Sequence, residues 1–342
     1  MGGRGLSVMI GIGCAILIAG AVYLGGDLIA PVAFALFIMA LVWPLQARLQ
    51  RRMPQLLALL LTLIVTLVVL AGLFSLTLWG FGKAAQWLIA NAGRFQTLYA
   101  EAAGWLEGHG LIIAGSMVET FNVGWMIRFL QSAAARVNGM LGFAVLTGIY
   151  VMLGLLEIDV IRRKLAAGEA GENGRRVLAA CTETGAKLRR YMGVRTVVSL
   201  CTGLAVWGFA TLAGLDLAIA WGVIAFVLNY IPFIGPLLAT LMPTLFTMAQ
   251  FESWQMAIAV FAGMNIIQFL SGSYIEPRIA GRALAVSPFI VLLAVFVGAF
   301  MWGLAGAFIG VPIVIAALTL CEQFEDSRWV ARLLSGAPPA AG

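Results

Sequence analysis

A chain of 342 residues that is 62% hydrophobic and 11% charged carries more apolar surface than one soluble core can hide. Lipid is the expected solvent, where only helices or closed barrels satisfy the backbone, and the long continuous apolar runs lack the dyad alternation of barrel strands. The net charge of +6 fits a Lys/Arg excess on the cytoplasmic side of a membrane better than a nucleic-acid surface, so no nucleic-acid partner is expected.

The predicted fold is all-α: a polytopic transmembrane helical protein with about five to six full spans and two broken helical hairpins, either re-entrant or short double spans. The run 6–24 has no A-x-A cleavage site and reads as a retained first span. The run 28–45 is a second span, predicted to reverse on the first in a short hairpin around Gly25, Gly26 and Asp27. A third covers 54–79, so that 1–79 forms an N-terminal scaffold. Residues 80–137 are nearly neutral and carry Trp87, Phe95, Tyr99, Trp105 and Trp125. They are predicted to be an extracytoplasmic amphipathic segment at the interface, where Trp and Tyr concentrate; a lid over a transport path is the functional alternative. A fourth span at 138–156 leads into a basic, helical, cytoplasmic stretch, 157–195, which either binds anionic headgroups or simply enforces orientation.

The fifth span, 196–214, opens the stretch 196–322, the expected transport core; 323–342 is a cytoplasmic tail. Within the core, 217–250 and 287–320 are each too long for one span of about 20 residues. Pro232, Gly235 and Pro236 break the first. Gly298, Gly303, Gly306 and Gly310, followed by Pro312, break the second. Each predicts a helix–break–helix hairpin, with a single span at 254–272 and a loop at 273–286 between them. Basic clusters at 48–52, 162–164, 175–195 and 328–332 place both termini on the cytoplasmic side of the membrane. Counted from there, the hairpins enter from opposite faces, the pattern of a transporter site near the midplane.

Polar residues inside spans are costly and point to function or pairing. In the first hairpin Asn229 precedes Pro232, Gly235 and Pro236. The prolines remove amides and the glycine permits a tight turn, so the tip is expected to offer free backbone groups beside the Asn229 amide. A capped structural turn is the alternative. Asn265 and Gln268 are three apart and share a helix face, which lines a pathway or bonds a neighbouring helix. Glu276 and Arg278 flank Pro277 as a candidate pair, with Arg282 close by and Asp216 the lone acid between Arg195 and Glu252. They are candidates for a gate or an ion-coupling site, against a plain loop salt bridge. The four cysteines (Cys14, Cys181, Cys201, Cys321) lack metal spacing, His109 has no partner pattern, and no phosphate-cradling loop or catalytic triad is present. No cofactor, metal or enzymatic activity is expected.

The stretches NYIPFIGP (229–236), EPRIAGRALAVSP (276–288) and WGLAGAFIGVP (302–312) resemble the autoinducer-2 exporter family of bacterial inner-membrane permeases, and KLRRYMG (187–193) resembles its basic stretch more loosely. The resemblance implies export of autoinducer-2, a small polar quorum-sensing molecule. It also allows sodium/proton exchange, with H+ or Na+ as the coupling ion, and it implies a homo-oligomer, a pentamer among the forms. Where the family pattern carries an acid and an Asn, this chain has Ser271 and Ser273. A sodium/proton antiporter and a non-transporting membrane scaffold are the rival readings.

Overall fold

The computed structural model describes residues 19–91, 93–95, 123–167, 171–280 and 286–334 as continuous stretches, with a few single positions besides; of the side chains in 123–141 only the backbone course is described. His109 and Arg282 lie outside the described residues, as does most of the predicted first span. Among the described residues there is no strand, and seven helices are long and apolar enough to cross a membrane. The protein is a polytopic helical membrane protein. Its helices are α1 (Gly26–Gln50), α2 (Gln55–Ala90), α3 (Val123–Ala166), α4 (Gly171–Leu212), α5 (Ala218–Leu228), α6 (Ile234–Phe251), α7 (Trp254–Leu270), α8 (Glu276–Ala280), α9 (Pro288–Gln323) and α10 (Arg328–Leu334).

The chain forms two compact units. Unit one comprises 1–66, 142–191 and 282–342, and unit two comprises 67–141 and 192–281. The helices α2, α3 and α4 each contribute to both.

In unit one, α9 is a hairpin of two helical arms. The backbone leaves helical geometry at Trp302 (φ −135°, ψ 22°) and Gly303 (φ 63°, ψ −144°), the second a conformation that favours glycine. The arms then pack back to back. A Cβ on Gly298 would run into the Gly306 carbonyl, and one on Gly310 into the Ala294 carbonyl. Small residues four apart thus let two backbones touch, as membrane helices do. The predicted break is where the sequence put it. The first arm, 288–301, is about 21 Å long at 1.5 Å per residue, short of the roughly 30 Å hydrocarbon core.

The predicted reversal at Gly25 is absent. The Gly25 amide donates to the Ala21 carbonyl at 2.8 Å and the Ile29 amide to the Gly25 carbonyl at 2.9 Å. Helical hydrogen bonds therefore run through the glycine, which makes a bend and not a turn. The Val22 carbonyl at this bend accepts from the Trp302 indole at 3.3 Å, and Tyr23 stacks on Phe300. Two glycines before an aspartate resemble a turn in sequence, but the hydrogen-bond ladder passes through them into α1, which continues past Pro31.

In unit two, α5 and α6 form the other hairpin, again at the predicted break. Trp221, Ile224, Phe246, Val206 and Met264 are buried together in its core. Trp87 joins them, its ring 3.7 Å from that of Phe246. The helix α2 continues to Ala90 rather than ending near 79, which carries Trp87 onto the hairpin. Likewise α3 starts at Val123, so the two ends of the predicted 80–137 segment are helix extensions; Tyr99 and Trp105 lie outside the described residues.

Candidate functional site

The site belongs to unit two and is built on α4. From Arg195 onward this helix is mostly apolar, and its buried polar residues lie along one stripe. Arg195, Ser199 and Thr202 are spaced four and three apart, hence on one face, and all three are buried. A buried polar group in a membrane helix needs a partner, because no water is there to supply one. Each has one.

The α5–α6 tip supplies the first partners. Asn229, 4% exposed, donates from Nδ2 to Ser199 Oγ at 3.3 Å, and the Tyr230 hydroxyl donates to Thr196 Oγ1 at 3.0 Å. The tip closes tightly. The Ile231 amide bonds the Leu228 carbonyl at 2.9 Å, and the Ile234 amide bonds the Pro232 carbonyl at 2.7 Å. That last bond spans two residues and encloses Phe233 at φ 63°, ψ −55°, a strained γ-turn. The expectation of a tip with free carbonyls is therefore corrected at Leu228, Ile231 and Pro232, whose carbonyls are occupied within the turn. Gly235 is required for a different reason: a Cβ there would meet the Leu228 carbonyl.

The helix after α7 supplies the other partners. Residues 273–280 are not a loop. A single π-turn, Ser271–Ile275, carries α7 into α8, with the Glu276 amide bonded to the Ser271 carbonyl. The turn absorbs one extra residue. Ser271 and Glu276, five apart, would diverge by about 140° on a regular helix but about 40° with that residue absorbed. Both therefore face α4. The Ser271 and Thr202 hydroxyls lie 2.7 Å apart. The Glu276 carboxylate is forked by Arg195, with Nη2–Oε1 at 3.1 Å and Nη1–Oε2 at 3.2 Å. The side chain of Arg195 is 10% exposed and that of Glu276 30%.

Glu276 thus pairs with Arg195, not with Arg278. On a helix, residues two apart point to nearly opposite sides, and Arg278 is exposed. Asp216 stands elsewhere. It lies at the Leu212 end of α4, about 26 Å along the helix from Arg195 at 1.5 Å per residue. There it receives the Trp87 indole on Oδ2 at 3.3 Å, and its backbone amide donates to Gln250 Oε1 at 2.9 Å; Gln250 Nε2 donates in turn to the Gly214 carbonyl at 2.9 Å. Asp216 pins the open end of the hairpin. Asn265 is exposed and turns its amide back to the Phe261 carbonyl of its own helix at 2.7 Å. Gln268, one turn on, is half-buried, and its Nε2 is buried with no hydrogen-bond partner among the described residues.

The arrangement offers a row of hydroxyls and amides ending in one carboxylate–guanidinium pair, inside an apolar helical unit. The sequence pointed to Asn229 and Glu276. It did not point to Arg195, Ser199, Thr202 or Tyr230, although one polar residue per turn in an apolar run, at i, i+4 and i+7, was a readable signal.

A model of the AI-2E family transporters matches residues 12–326. A candidate transport protein of Borreliella burgdorferi is 28% identical over 62% of this chain and 59% of its own length. The AI-2 transport protein TqsA of Escherichia coli is 37% identical over 42% of each chain. The match therefore spans less than two thirds of either relative. A candidate transport protein of Haemophilus influenzae is 25% identical over 95% of each chain.

Proposed function

We propose, from the premise that this chain belongs to the AI-2E family of transporters, that it is a secondary transporter exporting a small polar molecule such as autoinducer-2 across the bacterial inner membrane. The observation that carries this reading is the seam where the α5–α6 tip and the π-turn meet the polar stripe of α4. Its hydroxyls and amides can exchange their mutual hydrogen bonds for those of a hydroxyl-rich solute at little net cost.

In this reading Asn229, held beside Pro232, Gly235 and Pro236, contacts the solute, and Gln268, with Asn265 on the same face, lines the path. Glu276 and Arg195 form the gate, with Arg278 close by; a coupling role for Arg282 is part of the same proposal. The pair is the proposed point at which H+ or Na+ couples to transport. Asp216 fixes the base of the hairpin. The transporter works as a homo-oligomer, a pentamer being among the forms that the family resemblance suggests.

The test is efflux from proteoliposomes loaded with labelled autoinducer-2 or one of a panel of small diols and sugars, with and without a proton gradient. Saturable efflux that Asn229→Ala and Glu276→Gln both abolish is the expected result. Flux no greater than in protein-free vesicles for every solute overturns the transport assignment. Flux that survives both substitutions in well-folded protein overturns the site.

A further inference from the structure

Unit one holds a second polar site that the transport reading does not use. Where α2 begins, a hollow of about 530 Å³ is lined by Gln55, Asp159, Arg162, Arg163, Ala166 and Leu178. Its floor is fixed. Gln55 Nε2 reaches the Leu156 carbonyl of α3 at 3.4 Å, which ties the first residue of α2 to the wall. Arg162 lies over the Trp43 ring at 5.3 Å, so its guanidinium is positioned by a cation–π contact. The Nε of Arg163 donates to the Asp159 carbonyl at 3.3 Å. Neither arginine forms an ion pair with Asp159 among the described residues.

The hollow therefore holds two guanidinium groups, one carboxylate and one amide, together with the N-terminus of a 36-residue helix, whose unpaired amides favour an anion. Its net charge of about +1 matches a single phosphodiester. The surroundings are apolar. Leu56, Leu57 and Leu60 on α2 and Leu153, Val160 and Ile161 on α3 are all exposed. A ligand whose phosphate sits in the hollow thus has hydrocarbon-facing surface directly beside it.

We propose that this hollow binds one anionic glycerophospholipid of the phosphatidylglycerol class. The phosphate is held by Arg162, Arg163 and the α2 amides. Asp159 and Gln55 accept and donate to the headgroup hydroxyls, and the acyl chains lie along the exposed leucines. A zwitterionic lipid gains less, because its own ammonium offsets the arginines.

The experiment measures association of spin-labelled phosphatidylglycerol, phosphatidylethanolamine and phosphatidylcholine with the full-length protein in liposomes. Phosphatidylglycerol is expected to associate about fivefold more strongly than phosphatidylcholine, the order of magnitude for one net basic residue at a membrane surface. Arg162→Ala with Arg163→Ala brings that ratio close to one. Equal association of all three lipids with the wild-type protein overturns the proposal, as does an undiminished ratio in the double variant. Inorganic phosphate is titrated as a competitor. Displacement of the lipid signal at millimolar phosphate would identify a soluble-anion site and overturn the lipid assignment. Should the double variant fold poorly, Asp159→Asn supplies the second arm. Phosphatidic acid, whose headgroup has no glycerol hydroxyls, is added to the panel for this arm; a lower phosphatidylglycerol-to-phosphatidic acid ratio than in the wild-type protein is expected, and an unchanged ratio counts against the proposal.

Discussion

At the scale of single residues, the Arg195–Glu276 pair ties α4 to the helix that follows α7. Both oxygens of the carboxylate are engaged, a planar fork that lysine cannot reproduce. Removing one partner leaves the other charge in a poorly solvated place, at a cost of about 3 kcal/mol or more. Glu276→Gln is therefore expected to lower the thermal unfolding midpoint in detergent and to reduce flux. The exchange Arg195→Glu with Glu276→Arg should recover part of the stability. A swapped protein no more stable than the single variant would show that the pair contributes little. Gln268 makes the opposite case. Its buried Nε2 has no partner among the described residues, so Gln268→Leu removes an unmet donor at no loss of a bond. Stability should hold or rise while flux falls, and a variant with normal flux would remove Gln268 from the path.

At the scale of elements, glycine matters where two backbones meet. The Gly235 position touches the Leu228 carbonyl, whereas nothing lies within 4 Å of the Gly272 position. Gly235→Ala is expected to destabilise by about 3 kcal/mol, at the upper end for overpacking, and Gly272→Ala to leave unfolding in detergent unchanged. Comparable midpoints for the two would mean that the α5–α6 tip is not closed as described. Both hairpins were legible in the sequence, because Pro232, Pro236 and Gly303 act on the chain locally, whatever surrounds them. The π-turn was not. It is set by which side of the helix must face α4, and the spacing of Ser271 and Glu276 makes sense only once Thr202 and Arg195 stand opposite. The same holds for the partner of Glu276. Arg278 was near in sequence, but helical geometry turned it away and brought up a residue 81 positions distant. Gly25 failed in the other direction: it can end a helix, yet hydrogen bonds continue through it.

At the scale of the whole molecule, the basic residues give an orientation that can be checked. In unit one, Lys187 is held between Glu183 at 2.9 Å and Glu322 at 2.6 Å. Arg189 donates to the Ala40 carbonyl at 2.7 Å, and Arg162 covers Trp43. The acidic Glu322 end of α9 and the second half of α1 thus meet one stretch of α4, and the basic end of α3 meets α1. A positive excess marks the cytoplasmic side. Single cysteines at Arg52, Lys164 and Arg332 in a cysteine-free background are accordingly expected to react with an impermeant maleimide only after the membrane is opened. Labelling of intact cells at these positions would invert the topology. Composition made the membrane class legible at once. The division into two units was not, because it depends on three helices that each run through both.

The glycine seam of α9 has a mechanical consequence. Its arms touch through main-chain atoms at two levels, Ala294 with Gly310 and Gly298 with Gly306. Main chain has no rotamers with which to yield, so the two levels together act like dowels in a joint. Sliding one arm would require a jump of a whole helical turn, about 5.4 Å, with the Trp302–Gly303 bend rebuilt around it. Any motion of this hairpin is thereby confined to that of a lever, swinging from its ends at Pro288 and Gln323 without changing length.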